Sequence, residues 1–84
     1  MTSLAIPPGE TIREILEDRK ISQKEFSARM GFTEEETEQI LSGRTPVSCS
    51  TSELLEKTLG VPAQFWLNLE AIYRDTLLKE KNNA

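Results

Sequence analysis

The amino-acid sequence predicts an all-α domain of five helices. Apolar residues recur at three- and four-residue spacing in each patterned segment, and every such segment is introduced by a proline, serine or threonine. Most of them also end at a glycine, the residue best suited to the left-handed conformation that terminates helices. A third observation is size: 84 residues make a single domain, whose core has to be small and closely packed.

The first helix is expected from Pro8 to about Arg19, because proline at the first helical position leaves no amide hydrogen unpaired. Ile12, Ile15 and Leu16 share one face, Glu10 and Glu14 lie toward the positive end of the helix dipole, and Arg19 and Lys20 lie at the negative end. The second helix, Gln23 to Met30, opens on Ser22 and Glu25, a capping box in which hydroxyl and carboxylate each satisfy a free backbone N–H. Ile21 and Phe26 can staple its start, and Gly31 ends it. A second box, Thr33 with Glu36, opens a third helix from about Glu34 to Leu41, ending at Gly43. Two short helices joined by a tight glycine-containing turn are the layout of a helix-turn-helix, here about residues 22–42. A fourth helix starts between Ser48 and Ser50 and runs to Leu59, with Gly60 as its stop and Leu54, Leu55 and Leu59 as its buried face. Pro62 introduces the last helix, about residues 62–78, with Phe65, Trp66, Leu69, Ile72, Tyr73 and Leu77 in a broad apolar stripe. Most of that stripe is core, and its second side suits a partner subunit. Residues 79–84 read as a polar, fraying tail.

Composition narrows the function classes. No apolar run approaches the roughly 18 residues needed to span a bilayer, and the opening MTSLAIPPGE lacks a secretory signal, so a cytoplasmic protein is expected. Cys49 is the single cysteine, read as a small, partly buried side chain; no intrachain disulfide can form. Histidine is absent, which removes the commonest general base and the commonest nitrogen ligand for metals. The four glutamates Glu34, Glu35, Glu36 and Glu38 cannot gather into one metal cage, because neighbouring helical positions point in different directions. The sequence therefore predicts no catalytic residues, no cofactor, no metal site and no small-molecule substrate.

Four stretches together resemble a known family: the opening PPGETIREIL, the segment ISQKEFSARMGF, the turn ILSGRTPV and the closing LGVPAQFWLNLEAIYR. They resemble the plasmid-maintenance antidote proteins, the HigA-type antitoxins of the broad Cro/phage-repressor (XRE) helix-turn-helix class, over about residues 6 to 76. The first and last stretches discriminate, with Pro62, Phe65, Trp66 and Asn68 in their places. The resemblance implies a five-helix, lambda-repressor-like domain that dimerises and binds a palindromic operator in double-stranded DNA, usually its own. Many members neutralise a ribonuclease toxin encoded beside them. Some relatives carry the domain ahead of a zinc peptidase-like domain, and LEAIYRDTLLKEK resembles those longer chains. By position, Gln23 matches a residue used against the DNA backbone, with Lys24 beside it. Thr33, Glu34, Glu35, Glu38 and Gln39 match the recognition helix, and Arg44 and Thr45 match the loop after it. Phe65, Trp66, Leu69, Ile72 and Tyr73 are the expected dimer interface.

Three features depart from that family's pattern. The recognition helix carries four glutamates and no positive residue between Thr33 and Ser42, in a chain of net charge −4 with ten basic and fourteen acidic residues. Carboxylates brought to a DNA groove meet like charge, although a glutamate can accept from the cytosine amino group. Thr37 stands where an aliphatic core residue is usual, so its hydroxyl needs a backbone acceptor. Glu53 lies close to an otherwise apolar position on the fourth helix. Arg13, Arg19, Lys20, Lys24, Arg29 and Arg44 are available as a phosphate-binding rim or as partners of nearby glutamates. Two readings follow: a dimeric DNA-binding regulator of the antidote type, or a protein-interaction module that kept the fold and lost the operator.

Overall fold

Five helices are found in a computed structural model that describes residues 5–82: α1 Pro8–Arg19, α2 Gln23–Met30, α3 Glu34–Leu41, α4 Cys49–Leu59 and α5 Ala63–Asn82. No strand occurs among the described residues. Each boundary has a local cause. Pro8 starts α1 and the Glu10 N–H closes the first bond onto the Pro7 carbonyl at 3.0 Å. Ser22 caps α2 by accepting from the Glu25 N–H at 3.1 Å. Thr33 and Glu36 complete a reciprocal box at α3, with bonds of 3.0 and 2.9 Å. Ser48 accepts from the Thr51 N–H at 3.2 Å and opens α4. Gly31 and Gly60, at φ +77° and +79°, end α2 and α4.

Four expectations need correcting. The box at α2 is only half formed, because the Glu25 carboxylate pairs one turn onward with Arg29 at 3.1 Å, a favourable arrangement on an exposed helix face. Cys49 is exposed rather than partly buried, since the first position of α4 points its side chain away from the core. Residues 79–82 continue α5 rather than fraying; Asn83 and Ala84, the end of the expected tail, lie outside the described residues. Good helix formers, a Lys79–Asp75 ion pair at 3.1 Å, and two lysines at the negative end of the dipole extend the helix there. Trp66, expected at a dimer interface, is fully buried. A tryptophan supplies more apolar area than any other side chain, and this small core takes it. Its indole N–H donates to the Val61 carbonyl at 3.2 Å, so no polar atom is stranded.

The core draws on every helix: Ile12 and Leu16 of α1, Phe26 and Met30 of α2, Ile40 and Leu41 of α3, Leu55 and Leu59 of α4, and Trp66 of α5, with Val47 from the loop between α3 and α4. Ile15, Ile21, Phe32, Leu54 and Leu69 pack around it. Two close backbone approaches set how the helices meet. Gly9 lies on the end of α3, where a Cβ would fall 2.0 Å from the Leu41 carbonyl oxygen. Gly43, at φ +83°, turns the chain beneath α5, where a Cβ would fall 2.8 Å from the Tyr73 hydroxyl. Gly9, inside α1, and Gly43, after α3, thus both sit at close contacts between elements. No described helix is long and apolar enough to cross a membrane.

Candidate nucleic-acid interface

The α2–α3 unit is held by polar as well as apolar contacts. Phe26 and Met30 of α2 face Ile40 and Leu41 of α3 in the core, and between the helices lies a buried pair of hydroxyls. Ser27 Oγ and Thr37 Oγ1 are 2.7 Å apart. Thr37 also reaches the Thr33 carbonyl at 3.1 Å, and Ser27 the Gln23 carbonyl at 2.9 Å. Each hydroxyl has one hydrogen, so the proton between them comes from either side while the other partner bonds its own helix one turn back. Thr37 therefore finds the backbone acceptor it needs, and Ser27 is the partner that the sequence reading missed. Ser27 lies three residues before the inward-facing Met30, which was the available signal. Thr37→Val should cost about 1 kcal/mol, and adding Ser27→Ala should cost less than the two single losses summed, because both remove one bond. Urea denaturation of the three variants measures this; strict additivity would mean the hydroxyls do not interact.

The opposite face of α3 is open. Thr33, Glu34, Glu35, Glu36, Glu38 and Gln39 are all exposed, and only Thr37, Ile40 and Leu41 of the helix are buried. The helix lies on the surface beside α2, with its outward side chains exposed among the described residues. Its charge is unusual for that position. Glu34 and Glu35 have no ion-pair partner among the described residues. Glu36 is occupied by its cap. Glu38 is clasped: one carboxylate oxygen accepts from Arg13 of α1 at 3.2 Å and the other from the Gln23 amide of α2 at 3.1 Å. Gln23, expected on the DNA backbone, is thus engaged by the recognition helix itself.

The basic residues divide in two. Arg13 pairs with Glu38, Arg29 with Glu25, and Arg19 donates to the Leu59 carbonyl at 2.8 Å, closing the end of α4. Lys20, Lys24 and Arg44 are exposed and pair with no carboxylate among the described residues. The loop carrying Arg44 and Thr45 is ordered from both sides. The Thr45 N–H bonds the Gln39 carbonyl of α3 at 3.1 Å, and its hydroxyl meets the Gln39 side chain at 3.3 Å. From α5, Glu70 accepts from the Val47 N–H at 2.9 Å and Arg74 donates to the Gly43 carbonyl at 3.2 Å. Neither Glu70 nor Arg74 was singled out in the sequence; the signal for them was two opposite charges one turn apart in an otherwise apolar stripe.

The expected dimer face of α5 is also split. Trp66 points fully inward and Leu69 packs on the core, whereas Phe65 is 41% and Ile72 62% exposed. Phe65 and Ile72 are two turns apart on one outward side. Tyr73 is half-buried against Gly43, with the Arg74 guanidinium 4.9 Å from its ring centre.

A family model, Helix-turn-helix (HTH_3), matches residues 12–66, from the middle of α1 into α5. The chain belongs to the helix-turn-helix family. The uncharacterized HTH-type transcriptional regulator YddM of Escherichia coli (strain K12) is 29% identical over 63 residues, covering 75% of this chain and 67% of that protein. The likeness of this helix-turn-helix protein to solved structures runs nearly end to end. Pseudomonas aeruginosa antitoxin HigA, determined with the higBA promoter, superposes with a TM-score of 0.85 at 25% identity, covering 94% of this chain and 87% of that one. An addiction module antidote protein of the HigA family from Coxiella burnetii gives 0.83 at 26% identity, with 94% and 87% covered. The family model thus supports the helix-turn-helix class, and the solved structures support the resemblance to HigA-type antidote proteins.

Proposed function

We propose that this chain is a DNA-binding transcriptional regulator of the HigA antitoxin kind, acting in the cytoplasm without catalysis of its own. It binds an operator as a homodimer and neutralises a toxin protein. The observation that carries the reading is the free outer face of α3, set beside Gln23, Lys24 and the ordered Arg44–Thr45 loop. A surface helix with polar side chains fits the major groove, and the flanking amides and cations hold phosphates. In a two-fold dimer formed through the outward side of α5, the two α3 helices would enter the groove one turn apart, about 34 Å.

Fluorescence anisotropy with the DNA upstream of the protein's own gene tests this reading. Binding should weaken steeply as salt rises. Arg44→Ala should weaken it roughly tenfold and lower the slope of log affinity against log salt by about one, with the melting temperature unchanged. Absence of binding by the wild type at low salt would remove the assignment.

A second reading has its own observation. Glu34 and Glu35 stand at the start of α3, where free N–H groups would otherwise draw a phosphate, and Glu38 holds Gln23. This surface suits a basic protein partner, since complementary charge speeds encounter. Copurification of a basic protein from native cells, with no operator affinity in the isolated chain, would favour it over the first.

A further inference from the structure

We infer that Glu70 and Arg74 of α5 are positioning residues for the DNA-facing loop: they fix Gly43–Val47 so that Arg44 and Thr45 stand beside the recognition helix. The inference rests on the proposed operator binding. It follows from how the loop is held. Its α3 side is tied by Thr45 to Gln39, within the helix-turn-helix itself. Val47 anchors its far end by burying its side chain in the core, and among the described residues the further polar ties of Gly43 and Val47 to another helix come from α5. Glu70 has a side chain only 12% exposed, and one of its oxygens accepts from the Val47 N–H at 2.9 Å. The other oxygen is paired with the Arg74 side chain, and Arg74 in turn donates to the Gly43 carbonyl at 3.2 Å.

The two ends of the loop are thus gripped by one carboxylate–guanidinium pair on a rigid helix. That pair leaves Arg44, the residue next to the gripped Gly43, exposed and without an ion-pair partner among the described residues. Gly43 makes the grip fit. At φ +83° with the Tyr73 hydroxyl and Pro7 within 3 Å of where a Cβ would be, it brings its carbonyl close under α5. The Tyr73 ring lies against the Arg74 guanidinium and limits where that group can reach. A charge-assisted network of this kind holds its groups more firmly than neutral bonds do. An Arg44 held in place loses less freedom when it meets a phosphate than one on a loose loop.

The experiment is a set of operator titrations across salt with wild type, Arg44→Ala, Arg74→Ala, Glu70→Ala, Glu70→Gln and the double variant Arg44→Ala/Arg74→Ala. Amide exchange of Val47 is followed in each. Arg74→Ala and Glu70→Ala are expected to weaken binding roughly tenfold and to flatten the salt slope by about one, as Arg44→Ala does. Glu70→Gln keeps an acceptor for the Val47 N–H and should recover part of the loss. The double variant should bind no more weakly than Arg44→Ala alone, an outcome that a general loss of stability would not produce. Val47 should exchange faster in Glu70→Ala than in wild type. Multiplicative losses in the double variant, or unchanged affinity in Arg74→Ala and Glu70→Ala while Val47 exchange rises, would overturn the positioning role. Wild type that binds no operator overturns the regulator reading, and this role with it; that failure is seen in the wild-type titration alone. Should Glu70→Ala fail to fold, Arg74→Ala with its double variant decides the matter, since that side chain is 38% exposed.

Discussion

Gly9→Ala is expected to lower the stability of the domain by about 3 kcal/mol or more, on the order of 15 °C in melting temperature. Intrinsic preference points the other way. Gly9 is in the first turn of α1, and alanine is a better helix former than glycine by about 1 kcal/mol. Space decides against that preference. The added Cβ would lie 2.0 Å from the Leu41 carbonyl oxygen and 2.4 Å from its carbonyl carbon and Cα. These are backbone atoms at the end of α3, so no side chain can swing aside. α1 would have to lift from α3 and draw Ile12 and Leu16 from the core. Operator affinity should fall too, because the same contact sets the end of the recognition helix. A thermal melt followed by far-UV circular dichroism measures the effect; a variant as stable as wild type would show that α1 and α3 do not meet backbone to backbone.

Trp66→Ala should cost about 3–5 kcal/mol through the cavity it leaves, and the loss should be the same at every protein concentration. Ile72→Ala should instead leave the stability of the single chain within about 0.5 kcal/mol, Phe65→Ala should cost about 1 kcal/mol because its ring meets Trp66 edge-on at 5.1 Å, and both should raise the dissociation constant of the proposed dimer. The contrast follows chiefly from burial: Trp66 is 0% exposed, and the other two are 41% and 62% exposed on the outward side of α5. Denaturation at two concentrations, with sedimentation equilibrium for each variant, separates the cases. A Trp66→Ala protein that melts like wild type but no longer dimerises would put the indole back at the interface.

The face offered to DNA combines a helix-turn-helix geometry with an electrostatic character that opposes its usual use. Its backbone grammar is that of a groove-reading helix, yet Glu34, Glu35 and Glu38 line the outward side. Glu38 is not simply repulsive. Its two oxygens already hold Arg13 and Gln23, so it links α1, α2 and α3 on the surface proposed to meet DNA. A groove-bound state would either keep this clasp and use the remaining lone pairs, or open it and release two phosphate donors.

The local part of this protein was written into the sequence. Thr33 with Glu36, Ser22 ahead of α2, and Gly31 and Gly60 after α2 and α4 act over three or four residues, within the reach of a side chain along its own helix, so residue type and spacing suffice to place the helices. The recognition helix and its exposed side were legible for the same reason, since period and capping together set which residues face out. The tertiary structure alone decided who meets whom. Glu38 reaches Gln23 and Arg13 across 15 and 25 residues, Arg74 reaches Gly43 across 31, and Gly9 rests on Leu41. Such pairings depend on how whole helices stack, and an apolar stripe shows only that a face is buried. It does not say which of Trp66 and Ile72, both on α5, turns toward the core.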